Sequence, residues 1–127
     1  MNIDVPIGDF IDRLSILELK MLNIEDEAKL DNIQREFYHL NPSLSPLFEQ
    51  HGSELQALYL KLSQINGQIW VINEDLRDLL NTNKLGKKFV ELSKKLINLN
   101  DERWVIKKDI NLMTGSTFLE EKSYINF

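Results

Sequence analysis

The chain has 127 residues, a formal net charge of -5 and no cysteine. That length can bury one core without disulfides or a structural metal, and the missing thiols exclude a disulfide framework and thiolate chemistry. The negative balance argues against general nucleic-acid binding, and no apolar run is long enough to span a bilayer.

Residues 1–7 read as a short extended lead, since Pro6 biases Val5 away from helix. No basic region precedes an apolar one there, so no signal peptide is expected and the cytoplasm is the expected compartment. Gly8 or Asp9 opens a first helix that runs to about Asn23. Its main stripe is Ile7, Phe10, Ile11, Leu14, Leu17, Met21 and Leu22. Ile16 and Leu19 point roughly the opposite way, so this helix should be covered on two sides. Asp26 can cap a second helix with the stripe Leu30, Ile33, Phe37 and Leu40, and Pro42 ends it. Residues 41–52 hold two prolines, two serines and a glycine, and read as a connection with one turn at 46–50.

Residues 53–113 organise the chain. Ser53 and Gln56 have capping-box spacing. Leu55, Leu58, Tyr59, Leu62, Ile65, Ile69, Ile72, Leu76 and Leu80 then recur in steps of three and four. After a break at 81–86, Phe89, Leu92, Leu96, Leu99, Ile106, Ile110 and Met113 repeat the pattern, and Gly115 supplies a helix end. Two arms of about 28 residues, roughly 40 Å each, predict an antiparallel hairpin. No segment alternates with period two. The expected fold is all-α, one domain over residues 1–127: a long helical hairpin with two shorter helices and the tail packed on it. The tail, residues 116–127, carries Phe118, Leu119, Tyr124, Ile125 and Phe127, too apolar to be left in water.

On a helical wheel several polar residues fall inside the apolar stripes: Glu18 in the first helix, Asn66, Asn73 and Arg77 in the first arm, and Asn100, Arg103, Lys107 and Asn111 in the second. A structural reading pairs Glu18 with Arg103 or Arg77 and lets the asparagines set register. A functional reading makes Glu18, Asn66, Asn73, Arg77, Asn100, Arg103 and Lys107 a pocket for a small anion, with arginine as the fork. Three cations against one evident internal acid need other acids, solvent or a ligand, because an unpaired buried charge costs several kcal/mol.

Other chemistry has less behind it. Trp70 and Trp104 sit at stripe edges and read as core-edge residues. His39 and His51 lack metal-ligand spacing, so no metal and no cofactor is expected. Ser15, Ser63 and Ser93 have no histidine nearby in sequence to activate them. Residues 1–82 hold six Lys/Arg against fourteen Asp/Glu, and residues 83–127 hold nine against six. Lys84, Lys87, Lys88, Lys94 and Lys95 open the second arm and read first as a solvated face. Leu60, Val71, Val90 and Ile97 on the outer faces, with Ile16 and Leu19, make a homo-oligomer plausible, most simply a two-fold dimer.

The segments IDRLSILELK (11–20), WVINEDLR (70–77), NDERWVIKKDIN (100–111) and EEKSY (120–124) together resemble an uncharacterised family of short bacterial and phage proteins. Some of its members are encoded near glycosyltransferase and surface-polysaccharide genes. The resemblance covers most of the chain outside 41–52, and Gly67-Gln68 departs from the more charged pair expected there. It implies no activity. It places Asp12, Arg13, Glu18, Lys20, Asn66, Trp70, Arg77, Asn100, Arg103, Glu120, Glu121 and Lys122 within the family's motifs.

The reading that follows is a non-catalytic module that oligomerises or docks a partner protein. The alternative is a bundle that binds a small anionic metabolite or sugar phosphate, with a link to surface polysaccharide synthesis. A helical enzyme in the manner of the chorismate mutases ranks third, because that family's spacing is not visible, and the sequence leaves catalysis undecided.

Overall fold

A computed structural model describes residues 5–116. The order is α1 (Ile7–Asn23), α2 (Glu27–Leu40), a 3-10 turn (Asn41–Ser43), α3 (Leu44–Asn81) and α4 (Lys87–Thr114). Among the described residues there is no strand. The expected hairpin is present as α3 and α4, and the expected short helices as α1 and α2. The tail from residue 117 onward, with its expected packing, lies outside the described residues, as do residues 1–4.

Local signals explain most boundaries. The Asp26 side chain accepts the Lys29 N–H at 3.0 Å, which starts α2 as expected. α1 stops where Ile24 turns extended, and Asn23 Nδ2 donates to the Leu19 carbonyl at 2.7 Å. Thr82 Oγ1 donates to the Asp78 carbonyl at 2.8 Å at the end of α3. Gly115, at φ 65 and ψ 32, takes the left-handed conformation that closes α4 and donates its N–H to Asn111.

The stretch 41–52 departs from expectation. It is a 3-10 turn followed by two helical turns, not a connection, and α3 begins at Leu44 rather than at Ser53. Pro42 lies at the start of the 3-10 turn and Pro46 in the first turn of α3. At both places a backbone N–H has no intrahelical partner to lose. The helix-breaking composition is concentrated in Gly52, whose φ of 69 and ψ of -149 put a kink inside α3. Leu44 is buried there, and Leu47 and Phe48 pack on the core.

α1 lies obliquely across the hairpin. Its start meets α4 at Lys107 and Asn111, and Leu19 near its end meets Gly67 of α3. α2 covers another side of α1, so α1 is sandwiched within one chain, as its two-sided pattern required. The core is Ile11, Leu14 and Leu17 from α1, Phe37 from α2, Leu44, Leu55, Leu62, Ile65 and Ile72 from α3, and Leu99, Ile106 and Ile110 from α4. Leu22, assigned to the main stripe of α1, is instead 83 % exposed one residue before the helix ends. Toward the loop, past Ile72 and Leu99, Leu76, Leu92 and Leu96 still pack against the core, each partly buried.

Candidate functional site

The internal polar residues gather where α1, α3 and α4 meet, and Asp12 is their centre. Gly8, Asp12 and Ser15 are three and four residues apart and share one side of α1. Gly8 has no side chain, which lets α1 approach the α4 backbone: a Cβ built there would lie 2.5 Å from the Lys107 carbonyl oxygen. At that approach Arg103 reaches Asp12 as a two-pronged fork. Its Nε donates to Asp12 Oδ1 at 3.0 Å, and its Nη2 donates to Asp12 Oδ2. Asn66 Nδ2 donates to Asp12 Oδ1 at 3.0 Å and to Ser15 Oγ at 2.7 Å, and Ser15 donates onward to the Asp12 carbonyl at 2.8 Å.

Two further ties run along the same seam. Lys107 Nζ sits 2.8 Å from Asp9 Oδ1. The Gly8 N–H donates to Asn111 Oδ1 at 2.7 Å. Pro6 caps α1 without a side-chain hydrogen bond, so a residue of α4 satisfies one of the free donors at the start of α1. Asn111 is fully buried, and among the described residues its Nδ2 has no hydrogen-bond partner.

The expected polar set divides. Asn66, Arg103 and Lys107, together with Asn111, come together as the wheel required. Glu18 is half-buried but pairs with neither arginine; it accepts a hydrogen bond from the Tyr59 hydroxyl. Asn100 is half-buried. Asn73 and Arg77 are exposed, which corrects their inward assignment. They lie on the face of α3 that α1 covers lower down, but α1 ends near Gly67, so that face is wet at their level. The acids that sequence reasoning lacked are Asp12 and Asp9. The signal for Asp12 was the pair of small residues, Gly8 and Ser15, beside it on the wheel.

Burial, and then the bond to Glu18, hold the Tyr59 hydroxyl well above its ordinary value of 10. The folded state therefore keeps a proton that the unfolded chain releases, and stability is full below pH 10 and falls as pH rises beyond it. In thermal melts between pH 10 and 12, the wild type should lose stability more steeply than Tyr59→Phe. Parallel curves would reject the linkage. On the outer side of α1, Arg13 forks onto Glu36 at 2.6 and 2.8 Å. That bond raises the Arg13 value and lowers the Glu36 value. Both side chains are substantially exposed, so the pair is worth about 1 kcal/mol or less.

A second feature lies on the face of the hairpin away from α1. There a groove of about 510 Å³ runs between α3 and α4. Leu58, Ile65, Val105 and Ile106 form its apolar floor, Lys61 stands on the α3 wall, and Asp101, Glu102 and Asp109 stand on the α4 wall. It continues toward the loop past Gln64 and Gln68 to Val71, Ile72 and Lys95. Val105 is 47 % exposed and Leu112, further along α4, 59 %.

No described helix is long and apolar enough to cross a membrane. Among the described residues, no group of three or more His, Cys, Asp or Glu could hold a metal ion. No curated protein and no solved structure matches the chain. The profile of one protein family does match, over residues 1–126, and the chain belongs to that family, the family of unknown function DUF6165.

Proposed function

We propose that the chain is a non-catalytic interaction module whose docking surface is the face of the α3–α4 hairpin that no other described helix covers. The observation that carries this reading is the groove. Among the described residues α1 covers one face of the two longest helices, and the opposite face exposes an apolar floor between charged walls. A helix laid along such a floor buries apolar area at about 25 cal/mol per Å² and leaves the charged walls at the rim.

The internal cluster supports this reading over an anion receptor. Arg103 is engaged by Asp12, and Lys107 by Asp9. An incoming carboxylate or phosphate has to displace a buried Asp rather than fill a vacancy, and it leaves that Asp uncompensated. The cluster then acts as a spine that fixes how α1 sits on the hairpin.

A photoreactive phenylalanine analogue placed at Val105, on the groove, tests the proposal against the same group at Arg35, exposed on α2. Illumination of cells producing the full chain should give a covalent adduct from position 105 and none from position 35. Silence at 105, or equal yields at both, rejects the docking face. A thermal shift with carboxylates or sugar phosphates that is lost in Arg103→Met favours the anion pocket instead.

A further inference from the structure

The open face carries a charge order that matches itself when reversed. On α4 the residues Lys87, Glu91, Lys94, Lys95, Asn98, Asp101, Glu102, Val105, Asp109 and Leu112 fall within an arc of roughly 120° at 3.6 residues per turn. That arc includes the α4 wall of the groove. The half toward the loop is basic on balance, three lysines against Glu91, and the half toward Thr114 is acidic. Asn98, exposed, is the midpoint. Lys95 and Asp101 each lie three residues from it, Lys94 and Glu102 four, and Lys87 and Asp109 eleven.

We infer that the occupant of this face is a second copy of the same chain, docked antiparallel about a two-fold axis at Asn98. This rests on the reading of the face as a docking surface. A two-fold operation at Asn98 sets Lys95 against Asp101 of the second copy, Lys94 against Glu102 and Lys87 against Asp109, each pair occurring twice. Lys87 also lies 3.8 Å from Glu91 within its own chain, a loose exposed contact that leaves its side chain able to reach across. The axis brings Asn98 against its own symmetry mate, where two side-chain amides can each donate and accept, a device that fixes register in paired helices. The opposite parallel register sets lysine against lysine and acid against acid along α4, and repulsion rejects it. Four helices, α3 and α4 from each copy, then come together over the two grooves; the same operation sets Val105 against Glu91 of the second copy, whose charge Lys87 and Lys94 beside it offset.

Sedimentation velocity on the full chain over a wide concentration range tests this. The wild type should reach a species of twice 14.9 kDa. The variant K94E/K95E and the variant D101K/E102K should each remain single chains, a weakening of about 100-fold or more from like charges set face to face. All four residues are at the surface or near it, and circular dichroism reports whether each variant is folded. An equimolar mixture of the two variants restores every opposite pair and should recover the double-mass species. The chain carrying all four changes should dimerise alone.

A wild type that stays at 14.9 kDa at every concentration overturns the inference, as does a dimer that both reversals leave intact. The docking reading fails separately. A monomeric wild type whose position 105 still cross-links to a different protein keeps that reading and removes self-pairing. A monomer that also stays silent at position 105 removes both.

Discussion

Replacing Gly8 by alanine should destabilise the fold by about 3 kcal/mol, the upper part of the range for overpacking a tight interior. On helix propensity alone the change would be favourable by about 1 kcal/mol, so the sign of the result decides between local preference and packing. Packing wins because the atom 2.5 Å from the added methyl is a main-chain oxygen, Lys107 O, with Asn111 Oδ1 at 2.9 Å behind it. A flexible side chain could swing away, but a carbonyl held inside α4 can move only if α1 lifts off the hairpin. Lifting α1 lengthens the Gly8 bond to Asn111 and loosens the fork on Asp12. Urea unfolding should show the midpoint falling with little change in slope. Asn111→Ala should not rescue it, since the nearer obstacle is backbone. A neutral or stabilised Gly8→Ala would mean that α1 does not sit this close.

The second large effect is expected at Asp12. Its side chain is almost fully buried against Arg103, so Asp12→Ala should cost about 3–5 kcal/mol, chiefly by leaving a guanidinium in the interior without its acid. Arg103→Met should be of similar size, because it strands the carboxylate. The paired change Asp12→Leu with Arg103→Met should be far milder than the sum, since well-packed apolar replacements of a buried ion pair are often close to neutral. In the cycle closed by Asp12→Leu, Arg103→Met and the double change, a coupling of several kcal/mol is the expected readout. Additive losses would show that the two side chains act independently.

The hairpin, its break near residue 81, the Asp26 cap and the Gly115 stop were all legible in the sequence, because each rests on a local rule of spacing or capping. The helical nature of 44–51 was not. Pro46 and Gly52 read as breakers in composition, yet a proline in a first turn breaks nothing, and a single glycine can confine the whole irregularity to one residue. Leu44, Leu47 and Phe48, at helical spacing, were the usable signal. The polar spine was half legible. A wheel gives the direction in which a side chain points but not what lies there. It therefore treated Asn66 and Arg77 alike, although α1 covers the first and stops short of the second. Asp12, placed within the family's motifs by the resemblance, was not read as internal because it lies outside the apolar stripe of α1, and a wheel does not show that a second helix presses on its side.

One hydrogen bond has a consequence for how the chain is made. The donor at the start of α1 is satisfied by Asn111, 103 residues later, and Asp12 waits for Arg103, 91 residues later. A ribosome delivers α1 first and α4 last. Until synthesis has passed residue 111, the nascent first helix carries a carboxylate with no guanidinium and an amide with no acceptor, so it has no reason to settle. Assembly is therefore a late event that engages α1 and α4 at once.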